Sequence, residues 1–376
     1  MVIKNGTVLT DNFRFTKTDI QFSDKTITKI ESDIACDCDI IDATDCYVIP
    51  GLIDTHMHGA VGESFIEFNN DTYEKIASYE ASMGTTSLVP ALSAAQQEKL
   101  LNCIEYMKSF SDKDIDNCAA LRGIHMEGPF FSIKYKGAHL PENIRTPNID
   151  ELASYCEKAD GFIKILTLAP ELPNAEEVIK YAVSNKICVS AGHTNASYED
   201  IMNAITWGAT QGTHLYNAMS AMNHRNPNAV GGLLSSNAKC ELICDFFHVH
   251  PAVVDITLKL KGSEKINMIT DSEVGTGLPD DDYVINGRTL TVKDKKIYTE
   301  DGTIAGGCTC LIDGVRNLVS IGIPLADAVK TASKNPAETI GEYDKVGSLT
   351  VGKIADILIL DKSLNIKQVI LRGKAI

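Results

Sequence analysis

The apolar pattern changes character once along the chain. Over residues 1–47 it comes in short runs: Ile3, then Val8 and Leu9, Asp19–Phe22, Thr26–Ile30 and Asp39–Asp42, separated by polar turns at 11–12 and 23–25. Successive side chains of a strand face opposite ways, so this short-period pattern predicts a small antiparallel sheet. From residue 48 onward, apolar runs alternate with longer amphipathic stretches. The runs are 48–58, 85–89, 121–127, 162–168, 187–191, 208–214, 242–245 and 266–271, and helical periodicity marks 71–83, 175–184 and 198–207 among the stretches between them. Eight such strand–helix units predict an α/β fold, a (β/α)8 TIM-like barrel. A doubly wound open sheet is the alternative.

Beyond residue 275 the chain is turn-rich, with a strand-like run at 288–292, helical runs at 313–320 and 325–333, and β character again at 352–360. The expected architecture is a barrel over 48–344, flanked by a small β-sandwich from both termini, 1–47 plus 345–376.

Length and composition allow this. The chain has 376 residues, of which 44% are hydrophobic and 23% charged, ordinary for a globular protein with a large core. A net charge of −15 argues against nucleic acid and anionic membrane surfaces as partners. Met1 leads straight into the strand-like Val2–Lys4, and no apolar window has bilayer-spanning length, so the expected location is the cytoplasm. Eleven scattered cysteines, with no Cys-x-x-Cys, fit reduced thiols. A soft-metal site on Cys36/Cys38 or Cys308/Cys310 is the minor alternative.

The chemistry lies where the runs end. Active sites of parallel barrels sit at the C-terminal ends of their strands. Run one ends in His56 and His58, whose spacing puts both imidazoles on one face of a strand. Run three ends in Glu127, run five in His193, run six in His214 and run eight in Asp271. A lone histidine at a strand end is more often a satisfied polar group, but six such residues at one mouth point to a metal centre. Imidazole and carboxylate suit Zn²⁺ or Fe²⁺. Such an ion acidifies water and polarises a carbonyl. Asp271 is placed to act as general base, taking a proton from water and passing it to a leaving amine. His125, one step deeper than Glu127, reads as a hydrogen-bonded core residue.

The strings Pro50–Gly59, Gly123–Phe130, Lys136–His139, Ala191–Thr194, Thr213–Met219, Ile269–Asp271 and Gly314–Leu318 together resemble the amidohydrolase superfamily, and within it the N-acetylglucosamine-6-phosphate deacetylases, over nearly the whole length. The resemblance implies that Glu127, His193 and His214 hold the main metal, and that His56 and His58 hold a second with Glu127 between. It implies Asp271 as the base and His139 as the group polarising the acetyl carbonyl. Arg225 and His248 would bind the phosphate and sugar of an amino sugar phosphate, with backbone contacts from Asn217 and Ala218. Because the Arg225 loop can serve a neighbouring subunit's site in the family, a homodimer is expected. Arg225 also reads, on its own, as a basic group in an exposed loop available to an anion.

Other superfamily branches bridge two metals with a carboxylated lysine ending strand four. The one lysine of run four, Lys164, lies near its start. Two stretches depart from the family pattern, Ser272–Gly277 and Gly306–Cys310. Both are expected to flank the sugar, which leaves N-acetylgalactosamine 6-phosphate open as substrate. A non-catalytic barrel acting as a binding protein is the alternative of a different class, and six retained ligands weigh against it.

Overall fold

The computed structural model describes residues 1–376 apart from 36, 68, 114, 286, 287, 301 and 303, and leaves the side chains of 70, 288, 304 and 305 undescribed. Cys36 of the pair Cys36/Cys38 therefore lies outside the described residues. Cys308 and Cys310, the other closely spaced pair, are free thiols.

Parallel strands form the centre. In order they are Leu52–Asp54, then Thr85–Leu88 continuing as Ala91–Ser93, then Ala120–Leu121 continuing as Ile124–Glu127, followed by Ile163–Leu168, Cys188–Ala191, Gln211–Gly212, Lys239–Ile243 and Ile266–Ile269. Each pairs in parallel with the next. The sheet curls so that its last strand returns to its first. The Asp271 amide donates to the His56 carbonyl at 2.9 Å, and Met57 bridges Ser272 in parallel. This is an α/β fold whose curled parallel sheet fits a TIM-like barrel.

Helices cover the outside, and their ends are written locally. Helix Tyr198–Trp207 starts at a capping box, in which the Ser197 hydroxyl accepts from the Asp200 amide and the Asp200 carboxylate accepts from the Ser197 amide. It stops at Gly208, whose φ of 113° suits a residue without a Cβ. Asn69 and Asn148 cap helices Asn70–Ser82 and Ile149–Ala159, their side-chain oxygens accepting from the Thr72 and Glu151 amides.

Two expectations need correction. The run 48–58 is not one barrel strand. Tyr47–Pro50 pairs antiparallel with Ile357–Leu360 and parallel with Thr7–Leu9, outside the barrel, and only Leu52–Asp54 joins it. The break is Gly51, where a Cβ would stand 2.2 Å from Thr86 Oγ1. The terminal strands are also not one antiparallel sheet. They form a four-stranded sheet and a six-stranded sheet, and Val2–Lys4 runs parallel to Ile40–Asp42. Residues of both, including Ile3, Ile20, Phe22, Val48, Ile357 and Ile370, share one buried cluster.

Between the last barrel strand and helix Leu311–Ser320 stands a four-stranded antiparallel sheet, Asp281–Ile285, Arg288–Lys293, Lys296–Thr299 and Ile304–Gly307. The strand-like run at 288–292 is one of these four. The sheet is tied to the mouth, since the Gly307 amide donates to the Asp271 carbonyl at 2.7 Å. Among the described residues no helix is long and apolar enough to cross a membrane.

Candidate functional site

One carboxylate organises the mouth. Glu127 ends the third barrel strand, is 2% exposed, and receives histidine nitrogens from several directions. Its Oε1 lies 3.0 Å from His193 Nε2, 3.3 Å from His214 Nε2 and 3.2 Å from His56 Nε2. Its Oε2 lies 3.2 Å from His58 Nε2 and 3.4 Å from His139 Nε2. Asp271 Oδ1 closes the ring, 3.3 Å from His58 Nε2 and 3.4 Å from His56 Nε2. The six strand-end residues thus converge, and His139 joins them from the loop between Ile133–Tyr135 and Pro141–Asn143.

The outer nitrogens explain why the inner ones point inward. His193 Nδ1 donates to the Tyr135 carbonyl at 2.9 Å, and His58 Nδ1 to the Ala91 carbonyl at 3.1 Å. His56 Nδ1 meets Glu241 Oε2 at 3.0 Å. A carbonyl or carboxylate oxygen only accepts, so each of these Nδ1 atoms carries the proton and leaves Nε2 bare. Bare nitrogens then face carboxylate oxygens, acceptor against acceptor, an arrangement a cation satisfies. His56 Nε2 and Glu127 Oε2 are buried without a hydrogen-bond partner among the described residues. The spacings agree with shared ligation, because bonds of about 2.0–2.1 Å put neighbouring tetrahedral donors about 3.3 Å apart. His56, His58 and Glu127 form one group that could hold an ion, and Glu127, His139 and His193 another.

A proton and a metal ion compete for the same place between imidazole and carboxylate. Burial opposes a charge on His56 and on His58, yet the Glu127 carboxylate leads its neighbours in raising both well above the usual imidazole range. Burial likewise opposes ionisation of Asp271, but the imidazoles of His56 and His58 hold its carboxyl far below the usual range. His193 goes the other way, pushed down to about 4 by burial and by His214 and His139, against the pull of Glu127.

The backbone is strained where the ligands sit. His193, His214 and Asp271 adopt φ of 48°, 31° and 50°, left-handed values that turn each chain off its strand. Such residues cost on the order of 1–3 kcal/mol each and persist where the surrounding fold over-determines them.

The substrate-side residues are placed differently. His248 is half-buried beside the mouth, its Nδ1 2.7 Å from Asp245 Oδ2. Burial resists its charge, but Asp245 raises its pKa above the ordinary value. Ala218 has φ 47°, while the Asn217 amide is engaged with the His214 carbonyl at 2.9 Å. Arg225 stands apart in the exposed stretch 221–227, and its guanidinium pairs with no carboxylate among the described residues. His125 is fully buried, bonded through Nδ1 to the Thr55 carbonyl (3.0 Å) and through Nε2 to Thr167 Oγ1 (2.7 Å). Lys164 Nζ lies 4.0 Å from Glu342. Sequence reasoning passed over Glu241, although a single acidic residue inside the apolar run Cys240–Cys244 is a signal in itself.

A curled parallel α/β sheet carrying, at its C-terminal mouth, histidine and glutamate groups that could hold a metal ion defines the class. A model described as the amidohydrolase family matches residues 47–376. An N-acetylglucosamine-6-phosphate deacetylase of Vibrio furnissii is 32% identical over 354 residues, covering 93% of this chain and 88% of that one. An N-acetylgalactosamine-6-phosphate deacetylase of Escherichia coli O157:H7 is 32% identical over 327 residues, covering 86% of each. The crystal structure of N-acetylglucosamine-6-phosphate deacetylase from Pasteurella multocida superposes with a TM-score of 0.93 at 30% identity, covering 100% of this chain and 99% of that one. The chain belongs to the amidohydrolase family.

Proposed function

We propose that the protein is a metal-dependent deacetylase that hydrolyses the acetamide of N-acetyl-D-glucosamine 6-phosphate to glucosamine 6-phosphate and acetate. The observation that carries this reading is the convergence of His56, His58, His193 and His214 on the two oxygens of Glu127, in a chain whose relatives are sugar-phosphate deacetylases.

Glu127, His193 and His214 would hold the main ion, Zn²⁺ or Fe²⁺, and His56 and His58 a second. When bound, the metal supplies Lewis acidity toward water and the acetyl carbonyl. The chain's own groups do the rest. Asp271, kept ionised by its histidine neighbours, takes a proton from the attacking water and delivers it to the amide nitrogen, without which the amine is a poor leaving group. His139 faces the acetyl oxygen and stabilises charge developing there. His248, held by Asp245, contacts the sugar, with the backbone of Asn217 and Ala218 beside it. Arg225 binds the 6-phosphate and, from its exposed loop, serves the site of a second subunit in a homodimer. The terminal strands make a small β-sandwich, 1–47 plus 345–376, against a closed (β/α)8 barrel over 48–344, and their shared buried cluster supports it. The location is the cytoplasm.

A second reading concerns the epimer. Relatives named for either 6-phosphate match at overlapping identity, and Ser272–Gly277 with Gly306–Cys310 departs from the family pattern. Acetate release from a panel of N-acetylhexosamine 6-phosphates tests both readings. Faster turnover of the galactosamine compound replaces the first by the second, and release from none of the panel rejects both.

A further inference from the structure

Glu241 lies on the strand Lys239–Ile243 and is fully buried beneath the centre. A carboxylate is expensive to bury unless every oxygen is satisfied. Its ion-pair partners among the described residues are histidines, His56 at 3.0 Å and His125 at 3.9 Å, with no lysine or arginine. Oε1 accepts from Gln211 Nε2 at 2.9 Å, and Gln211 is itself oriented by Asn267 Nδ2, which donates to its Oε1 at 2.7 Å. Oε2 accepts from the His214 amide at 3.3 Å and meets His56 Nδ1 at 3.0 Å. The carboxylate is thus fixed from both sides, and what it fixes in turn is the ring of His56. His58 and His193 gain the same orientation from backbone carbonyls. Ser93 Oγ also lies 3.0 Å from His58 Nδ1, but His56 alone among these three is held by a carboxylate, and its Nε2 is left bare, 3.2 Å from Glu127 Oε1 and 3.4 Å from Asp271 Oδ1.

We infer that Glu241 is a positioning residue for the His56–His58 half of the centre: it locks His56 as the Nδ1–H tautomer, turns its Nε2 lone pair toward a second cation beside Glu127, and so sets whether that second ion is held. The inference rests on the metal-centre reading above. Outer partners of metal-bound histidines are worth about 10- to 100-fold in metal affinity.

The test is a Zn²⁺ titration of metal-stripped wild type and Glu241→Gln against a chromophoric chelator, reading the affinity of each site separately. Two sites in wild type, with the tighter unchanged and the weaker losing about 10- to 100-fold in Glu241→Gln, is the expected result. Two unchanged sites in the variant overturn it. Equal weakening of both also overturns it, since Glu241 would then act through the fold at large. A wild type that binds one ion removes the half-site Glu241 is said to serve. A wild type that binds none removes the metal centre itself. One measurement needs no variant. In wild type labelled with ¹⁵N-histidine and loaded with Zn²⁺, His56 should carry its proton on Nδ1, and a protonated Nε2 overturns the inference.

Discussion

His193 Nε2 and His214 Nε2 stand 3.0 Å apart, each pointing at the same oxygen of Glu127. The outer nitrogen of His193 is committed to a backbone carbonyl, so its inner lone pair has no proton to share. Three donors at tetrahedral spacing, brought from three different strands, form the half of the centre proposed for the main ion.

Each of these histidines supplies one of the three protein ligands proposed for the main ion. His193→Ala or His214→Ala should therefore lose that ion and nearly all activity, whereas His56→Ala should lose at most one ion of two. Elemental analysis of the purified variants beside an acetate-release assay decides the matter. Full metal content and a normal rate in His214→Ala would remove the site assignment.

The same geometry shows what was legible in the sequence. Helices 175–184 and 198–207 are found with unchanged bounds, because apolar periodicity and flanking caps such as Ser197 and Gly208 are local signals. Run 48–58 was misread because apolar strands buried on both faces carry no mark of their partners. Tyr47–Pro50 is assigned to the terminal sheet by Ile357–Leu360, some three hundred residues away, which no local window contains. The strand Gly208–His214 shrinks to Gln211–Gly212 for a related reason, since the residues leading to His214 already turn toward its left-handed backbone. His56, Glu127, His193 and Asp271 could be found because fold and strand-end position together say where chemistry sits. Glu241 could not be found that way, since it points into the barrel from below the mouth.

Arg225 tests the substrate side. If it pairs with the 6-phosphate, Arg225→Ala should lower kcat/KM on the phosphorylated sugar by about 10- to 150-fold, the worth of a charged hydrogen bond of about 1.5–3 kcal/mol. Most of the loss should appear in KM. The slow reaction of the unphosphorylated sugar should hardly change. Equal losses on both substrates would assign Arg225 a structural role.

Glu80 gives a pH dependence that belongs to the fold rather than the reaction. It is 1% exposed on helix Asn70–Ser82, and burial, with the Asp54 carboxylate adding to it, pushes its carboxyl up to about 8. The folded protein therefore holds this proton more tightly than the unfolded chain. Its contribution to stability is complete below about 4.5, the unfolded value, and is lost as pH rises to about 8. At about 1.4 kcal/mol per pKa unit this amounts to a few kcal/mol at most. Glu80→Gln removes the titration while keeping the shape. Its melting temperature should match wild type near pH 5, exceed it increasingly toward pH 8 and level off by pH 9, at fixed metal concentration. A difference that stays flat across that range would show that Glu80 is neutralised in some other way.

Asp271 carries the proposed proton transfer. Its Oδ1 is held between His56 and His58, and its amide is bonded to the His56 carbonyl, so the carboxylate cannot swing away from the centre. Its left-handed backbone, φ 50°, is part of the same constraint. Asp271→Asn keeps the size and much of the hydrogen bonding but cannot accept a proton. The variant should retain metal at Glu127, His193 and His214 and still bind substrate. Its kcat should fall by roughly 10²–10⁴, the usual worth of a positioned acid–base group. In wild type, protonating Asp271 should lower the rate on the acid side, well below neutral pH because His56 and His58 hold its pKa down. That limb should be missing from the residual activity of the variant. The measurement is kcat against pH for both proteins with metal content checked in each. A metal-loaded variant within a factor of about three of wild type would take Asp271 out of the mechanism. Protonation of the leaving nitrogen would then pass to another group at the centre, His139 being the candidate, its Nε2 3.4 Å from Glu127.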